Sequence, residues 1–262
     1  MITNKNIVLT GADSGIGLEV LKLLASEKTN KILAVDKNCK NMDKVSGNII
    51  IYQCDVSSAE GVDSIFQKAE EELGFIDIFY ANAGYPYYEI IDYVDWDRTK
   101  RMFETNVFSP IYTYEKYKQY LDGREGHLAI TVSAIGKMAM PGFTTYSATK
   151  FAMEGFQQGI RFELPENMKL TCLYPIATDT GFFAAANDVE FERPFPVQSP
   201  KVVAKKMVAA LEKGKKSVNP SFLFTLSGVL FGICPPIKSV YLGLEKGSLR
   251  DFSRRSERRY KT

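Results

Sequence analysis

Short apolar runs alternate with longer stretches of helical periodicity from the first residues to about Tyr174. Apolar runs of this length bounded by polar turns are the mark of strands buried on both faces, and the 3.6-residue spacing between them marks the helices that cover those faces. The pattern predicts strands at 7–10, 32–36, 49–54, 76–81, 128–132 and 170–174, with a short seventh near 217–219. Helices are expected at 15–27, 59–73, 97–121, 145–164 and, after an irregular stretch, 200–213. Right-handed crossovers then place helices on both faces, so the expected fold class is α/β, a doubly wound parallel sheet. Neither a repeat nor a linker interrupts the chain, and residues 1–262 read as a single domain.

Ligands of such sheets bind beyond the carboxyl ends of the strands. Thr10, Asp36, Asp55, Asn82, Ser133 and Pro175 all fall at or just after predicted strand ends. The first of them opens the run Thr10-Gly11-Ala12-Asp13-Ser14-Gly15-Ile16-Gly17 between a strand and a helix. Glycines there allow a tight turn and close approach of backbone to a pyrophosphate, whose charge is favoured by the free amides and dipole of the helix. Strand, glycine turn and helix in that order make the fold Rossmann-like; a glycine turn alone would as readily be only a turn.

Asp36 closes the second strand nineteen residues after Gly17, near the spacing at which a carboxylate receives ribose hydroxyls and repels a 2′-phosphate. Ser14 puts no basic residue inside the loop, so NAD is favoured over NADP, with Lys37 as the counter-argument. Asp55-Val56 is a candidate for the adenine edge, and Asn82-Ala83-Gly84 for the floor of the site. Turn chemistry explains either equally well, because Asp and Asn satisfy backbone groups locally.

Tyr146 and Lys150 stand four residues apart in TYSATK, on one side of a predicted helix. In isolation that spacing describes a surface pair. Hydride exchange at a carbonyl needs a proton donor and acceptor, and a phenol of pKa about 10 needs nearby positive charge to work as a base. Lys150 is the available ammonium. Ser133, at the end of the fifth strand, is placed to hydrogen-bond the substrate oxygen, or merely to cap a turn. Asn106 lies inside a predicted helix, where Asn has only modest preference; holding a water near Lys150 is a better reason for it.

These motifs resemble the short-chain dehydrogenase/reductase family of the classical type, in order and spacing, over about the first 180 residues. The resemblance implies NAD(P)-dependent oxidoreduction of an alcohol or ketone, with Tyr146 as acid/base and Lys150 tuning it and holding the nicotinamide ribose. It implies also that Ser133 orients the substrate, that Asn106 anchors a proton relay, and that Gly11, Ser14, Gly15, Ile16, Gly17, Asp36, Asp55, Val56, Asn82, Ala83, Gly84, Pro175 and Thr180 contact the cofactor. A homodimer or homotetramer built through the two long helices is a further implication. Three departures stand out: Pro175-Ile176 replaces the usual Pro-Gly, Ala81 replaces an Asn, and the C-terminal region follows no family pattern.

Composition sharpens this only at the edges. With 45% hydrophobic and 24% charged residues and a net charge of +2, the chain has no field that would select nucleic acid. Cys39, Cys54, Cys172 and Cys234 form no C-x-x-C pair and read as small core residues in a reducing compartment; no metal is called for. The N-terminus runs directly into a strand without a signal pattern, so a cytoplasmic location is expected. Arg254, Arg255, Arg258, Arg259 and Lys261 read as a solvated tail, and His127 as structural. Candidate substrate walls are Tyr85, Tyr87, Tyr88, Phe143, Phe182, Phe183, Phe191 and Phe195, which favour an apolar substrate, with a lid over 181–199. Residues 221–237, within an apolar extension over 220–262, carry no charge. Pro235 and Pro236 stop that run short of a membrane span, so it reads first as a buried, dimer-covered or lid element and second as an interfacial anchor. The competing functions are a non-catalytic NAD(H)-binding regulator, which need not keep the Ser-Tyr-Lys set, and a membrane-surface lipid alcohol dehydrogenase.

Overall fold

A computed structural model describes residues 1–92, 94–182 and 194–260. Among them the strands are β1 (Asn6–Thr10), β2 (Lys31–Asp36), β3 (Ile49–Gln53), β4 (Ile78–Ala81), β5 (Gly126–Thr131), β6 (Met168–Leu173) and β7 (Ser217–Val218). All pair in parallel, in the order β3-β2-β1-β4-β5-β6-β7. The order reverses between β1 and β4, which opens a crevice at the carboxyl edge.

Alternation along the strands builds the two cores. Ile7, Leu9, Ile32, Ala34 and Tyr80 face one side, packed by α1 (Gly15–Ala25) and α6 (Pro200–Glu212) through Val20, Leu21, Val203 and Met207. Val8, Leu33, Val35, Phe79, Leu128 and Ile130 face the other. They meet α2 (Ala59–Leu73), α4 (Ser109–Leu121) and α5 (Thr144–Ile160) through Ile65, Phe66, Tyr117, Met153 and Ile160. Each fully buried Leu, Ile or Phe contributes roughly 1.5–3 kcal/mol. The predicted α/β architecture is therefore present, with strand ends moved by one or two residues.

Three expectations need correcting. The helix expected over 97–121 is α3 (Trp96–Phe103) and α4, joined by a π-helical turn at Glu104–Phe108. Pro110 has no amide to bond the Asn106 carbonyl, and the Ser109 amide reaches back to Glu104 instead, widening the turn around Asn106. The uncharged C-terminal run is α7 (Phe222–Ile233), which stops at Cys234 before α8 (Pro235–Tyr260) starts on its proline. Phe222 is 76% exposed and Ile233 77%, so α7 is not buried within the chain. α8 continues to Tyr260, and the expected solvation of Arg254, Arg255, Arg258, Arg259 and Lys261 lies outside the described residues. Of the cysteines only Cys172 is buried; Cys39, Cys54 and Cys234 are half-buried.

The amino edge of the sheet is sealed by polar contacts remote from the crevice. The Tyr117 hydroxyl, fully buried, lies 3.0 Å from the Ile76 carbonyl and 2.9 Å from that of Asp77, and accepts from the His127 amide at 3.2 Å. His127 Nε2 bonds Thr171 Oγ1 at 2.7 Å, and burial holds its pKa down at about 4, in keeping with a structural role. Tyr117→Phe takes the hydroxyl from the Ile76 carbonyl, while the His127 amide keeps its 3.0 Å bond to the Asp77 carbonyl; a loss of about 1 kcal/mol in urea unfolding is expected, with NADH affinity unchanged. Unaltered stability would show that the seal contributes nothing.

Candidate active site

β1 delivers Thr10 to the carboxyl edge, and the chain turns at Gly11 with φ 66°. A β-carbon at Gly17 would lie 1.9 Å from the Gly11 carbonyl oxygen, so only glycine permits this return. Ser14 sits at the N-cap of α1 without bonding it through its side chain, and no acidic residue occupies the first turn. The first amides of the helix therefore face the crevice with the positive end of the dipole, beside Gly15, Ile16 and Gly17.

Asn82, just beyond β4, braces this turn. Its Nδ2 donates to the carbonyls of Thr10 and Gly11, both at 3.2 Å, and its Oδ1 accepts from Thr131 Oγ1 at 2.9 Å. Thr10 Oγ1 in turn accepts from the amides of Asn82 and Ala83. At the end of β2, Asp36 accepts from the Asp13 amide and the Asn38 amide, each at 3.1 Å. Burial, with the Asp13 carboxylate nearby, raises its pKa despite these bonds. Asp13 was not singled out from the sequence, yet its Oδ1 accepts from the amides of Asn41 and Met42 at 2.7 and 3.0 Å, tying the loop after β2 to the glycine turn. Its partners lie 28 and 29 residues away, a pairing without local signal. Asp55 is exposed and accepts from the Ser57 amide at 2.9 Å, which is turn chemistry, while Val56 is buried against α2; neither lines the crevice.

The other four candidates converge. Tyr146 and Lys150 are buried on α5, and Ser133, which lines the cleft with Tyr146, donates through its hydroxyl to the Pro175 carbonyl at 3.4 Å. Lys150 Nζ donates to the Thr131 carbonyl at 3.1 Å and lies 5.6 Å from the Tyr146 ring centroid. Burial pushes the phenol well above its ordinary pKa and brings the ammonium down to about 8. Asn106, carried inward by the π turn, accepts from the Tyr85 amide at 3.0 Å and donates to the Tyr85 carbonyl at 2.9 Å. A β-carbon on Gly84 would sit 2.9 Å from Asn106 Oδ1 and 3.8 Å from Lys150 Nζ, so the glycine keeps that gap open. Ser133 has φ 120° and ψ 149°, a region nearly reserved for glycine, at about 1–3 kcal/mol. Bonds from the Ser133 and Ala134 amides to the Leu173 and Pro175 carbonyls hold it there.

A cleft of about 460 Å³ runs from the glycine turn past Ser133 and Tyr146, lined also by Pro175, Ile176 and Thr180. The Thr180 side chain packs against Gly15. Of the aromatic walls expected, Phe143, Phe182 and Phe195 line the cleft. Tyr88 is buried behind Phe143, Tyr85 and Tyr87 belong to the cluster around it, and Phe183 and Phe191, with most of the proposed lid, lie outside the described residues. Met138, Met140, Tyr241 and the α7 residues Leu223, Leu226 and Leu230 complete the wall. The uncharged run was the available signal for α7, but not for which cleft it borders.

The short chain dehydrogenase family model matches residues 5–190. An uncharacterized oxidoreductase of Listeria innocua is 28% identical over 203 residues, covering 73% of this chain and 82% of the relative. A 3-dehydrosphinganine reductase of Danio rerio is 27% identical over 267 residues, covering 94% and 80%. Among solved structures, a short chain dehydrogenase/reductase from Burkholderia phymatum in complex with NAD superposes with a TM-score of 0.76 at 18% identity, covering 91% and 97%. One from Burkholderia cenocepacia in complex with NADP also gives 0.76, at 20% identity, covering 92% and 98%. With the motif order, the sheet order and more than half of its length in agreement, the chain belongs to the short-chain dehydrogenase family of oxidoreductases.

Proposed function

We propose that this protein reduces and reoxidises an apolar ketone/alcohol pair with NAD(H), using Tyr146 as the proton donor and acceptor. The observation that carries the reading is that Ser133 and Tyr146, with Lys150 buried behind them, line the same cleft as the glycine turn. A nicotinamide dinucleotide would supply or accept the hydride. Its diphosphate suits the uncapped start of α1 and the side-chain-free surfaces of Gly11 and Gly17, and the family resemblance adds Asn82, Ala83, Gly84, Pro175 and Thr180 around it.

The chain's own part is proton transfer and orientation. Ser133 holds the substrate oxygen; Tyr146 gives it a proton in reduction and takes one back in oxidation. Burial keeps the phenol protonated, which suits the reductive direction, and the oxidative direction requires positive charge close by. At about 8, Lys150 remains mostly charged at neutral pH. Asn106, held by Tyr85, is the anchor for a water relay leading from Lys150. The apolar wall, and the resemblance over nearly the whole chain to a reductase of 3-dehydrosphinganine, support a long-chain amphiphilic ketone as substrate class. Exposed Phe108, in the turn leading into α4, and Phe151 on α5 support a homodimer or homotetramer paired through these two helices.

Tyr146→Phe should lower turnover on long-chain ketones by about a hundred- to ten-thousand-fold while NADH fluorescence titration stays normal. Turnover near the native level in that variant would remove Tyr146 as the acid/base. In parallel titrations NADH should bind more tightly than NADPH, because the Asp36 carboxylate at the end of β2 would repel a 2′-phosphate placed there, and Asp36→Ser should narrow the gap. Tighter NADPH binding by the native chain would reverse the assignment.

Lys150 also sets a pH dependence. Its pKa falls from 10.5 to about 8 on folding, so between those values the unfolded chain binds the extra proton and stability rises with pH. Below pH 8 both states are charged and the burial penalty, about 3 kcal/mol, is fully present. Lys150→Met should therefore be more stable than the native chain in urea at neutral pH, with the difference shrinking as pH approaches 10.5. A difference independent of pH would refute a depressed ammonium.

A further inference from the structure

α7 presents apolar side chains to the outside and to the cleft at once. Phe222, Leu223, Leu226, Leu230 and Ile233 share one helical face and are 43–77% exposed, and the three leucines also line the cleft. Ile237, Val240 and Leu244 on α8 recur at spacings of three and four and are likewise exposed. α8 is held to the body by Tyr241, Leu249 and Phe252, which pack with Tyr88, Phe143 and Tyr146. The hairpin is thus anchored on its inner side and open on its outer side.

Charge also sets this segment apart from the rest of the chain. From Ser221 to the C-terminus there are eight Lys and Arg against three Asp and Glu, whereas the preceding residues carry twenty-five against twenty-eight. Among the described residues no helix is long and apolar enough to cross a membrane, and the 12 residues of α7 extend about 18 Å against a hydrocarbon core of about 30 Å. A short helix with an exposed apolar face, within a segment whose sequence is rich in Lys and Arg, has the form of an element that lies in the headgroup layer and is drawn to anionic lipid.

We propose that α7, with the adjoining stripe of α8, docks the protein on an anionic lipid bilayer so that the cleft mouth opens into the headgroup layer. Docking itself needs no catalysis; delivery of substrate through that mouth rests on the reading of an apolar ketone or alcohol given above. The leucines would then form a continuous apolar path from acyl chains to Tyr146, sparing a long-chain substrate passage through water.

Flotation of the full chain with vesicles tests this. Native protein should rise with phosphatidylcholine vesicles containing phosphatidylglycerol, rise less with phosphatidylcholine alone, and be partly released by salt. Phe222→Asp combined with Ile233→Asp should cut capture by about tenfold or more while NADH titration stays normal. Absence of native capture on anionic vesicles overturns the proposal, and so does equal capture on neutral ones. Light scattering provides the remaining arm: an assembly that the same two substitutions split into smaller particles means that a second copy covers α7, and the lipid assignment falls. Capture without ketone turnover would leave docking intact and refute the reductase reading; turnover without capture would do the reverse.

Discussion

A seam of buried polar groups couples the two halves of the site. Thr131 sits at its centre: its hydroxyl bonds Tyr80 and Asn82, and its carbonyl accepts from Lys150. Asn82 carries the connection on to the carbonyls of Thr10 and Gly11. Three strands, the glycine turn and the lysine of α5 are thereby held in one hydrogen-bonded unit inside a low-dielectric edge, where each bond is strong and each missing partner is expensive. Neither the turn nor the ammonium can shift without breaking these bonds.

That rigidity accounts for the tolerance of a strained residue. Ser133 occupies a conformation that favours glycine, although it lines the cleft beside Tyr146 and its hydroxyl bonds the Pro175 carbonyl. Glycine would relax the backbone and delete the hydroxyl. The site keeps the less stable choice because two amide bonds across to β6 and its following residues enforce it. Lys150 is a second instance of the same trade, a charge kept in a place that penalises charge.

The sheet was legible because β1 and β2 are almost wholly apolar and buried on both faces, which leaves helix-covered parallel strands as the natural solution. Most site residues were legible for a related reason: strand ends are where a doubly wound sheet exposes polar groups, and Tyr146 and Lys150 obey helical spacing. What escaped detection depends on tertiary pairing. Asp13 looks like one more loop residue until Asn41 and Met42 arrive from beyond β2. The π turn had a visible cause in Pro110, but its consequence, the inward displacement of Asn106, appears only when Tyr85 is placed opposite. The uncharged C-terminal run was visible, whereas its exposure was not, because hydrophobicity alone does not say which surface a helix meets.

The matched stretch ends at residue 190, while Leu223, Leu226, Leu230 and Tyr241 supply much of the wall around the reacting groups. The cleft wall thus joins residues inside the matched stretch, such as Met140 and Phe143, to residues beyond it. A lineage that exchanged the final two helices would rebuild that side of the wall, and with it the packing around Tyr146, while the glycine turn kept its place at the other end.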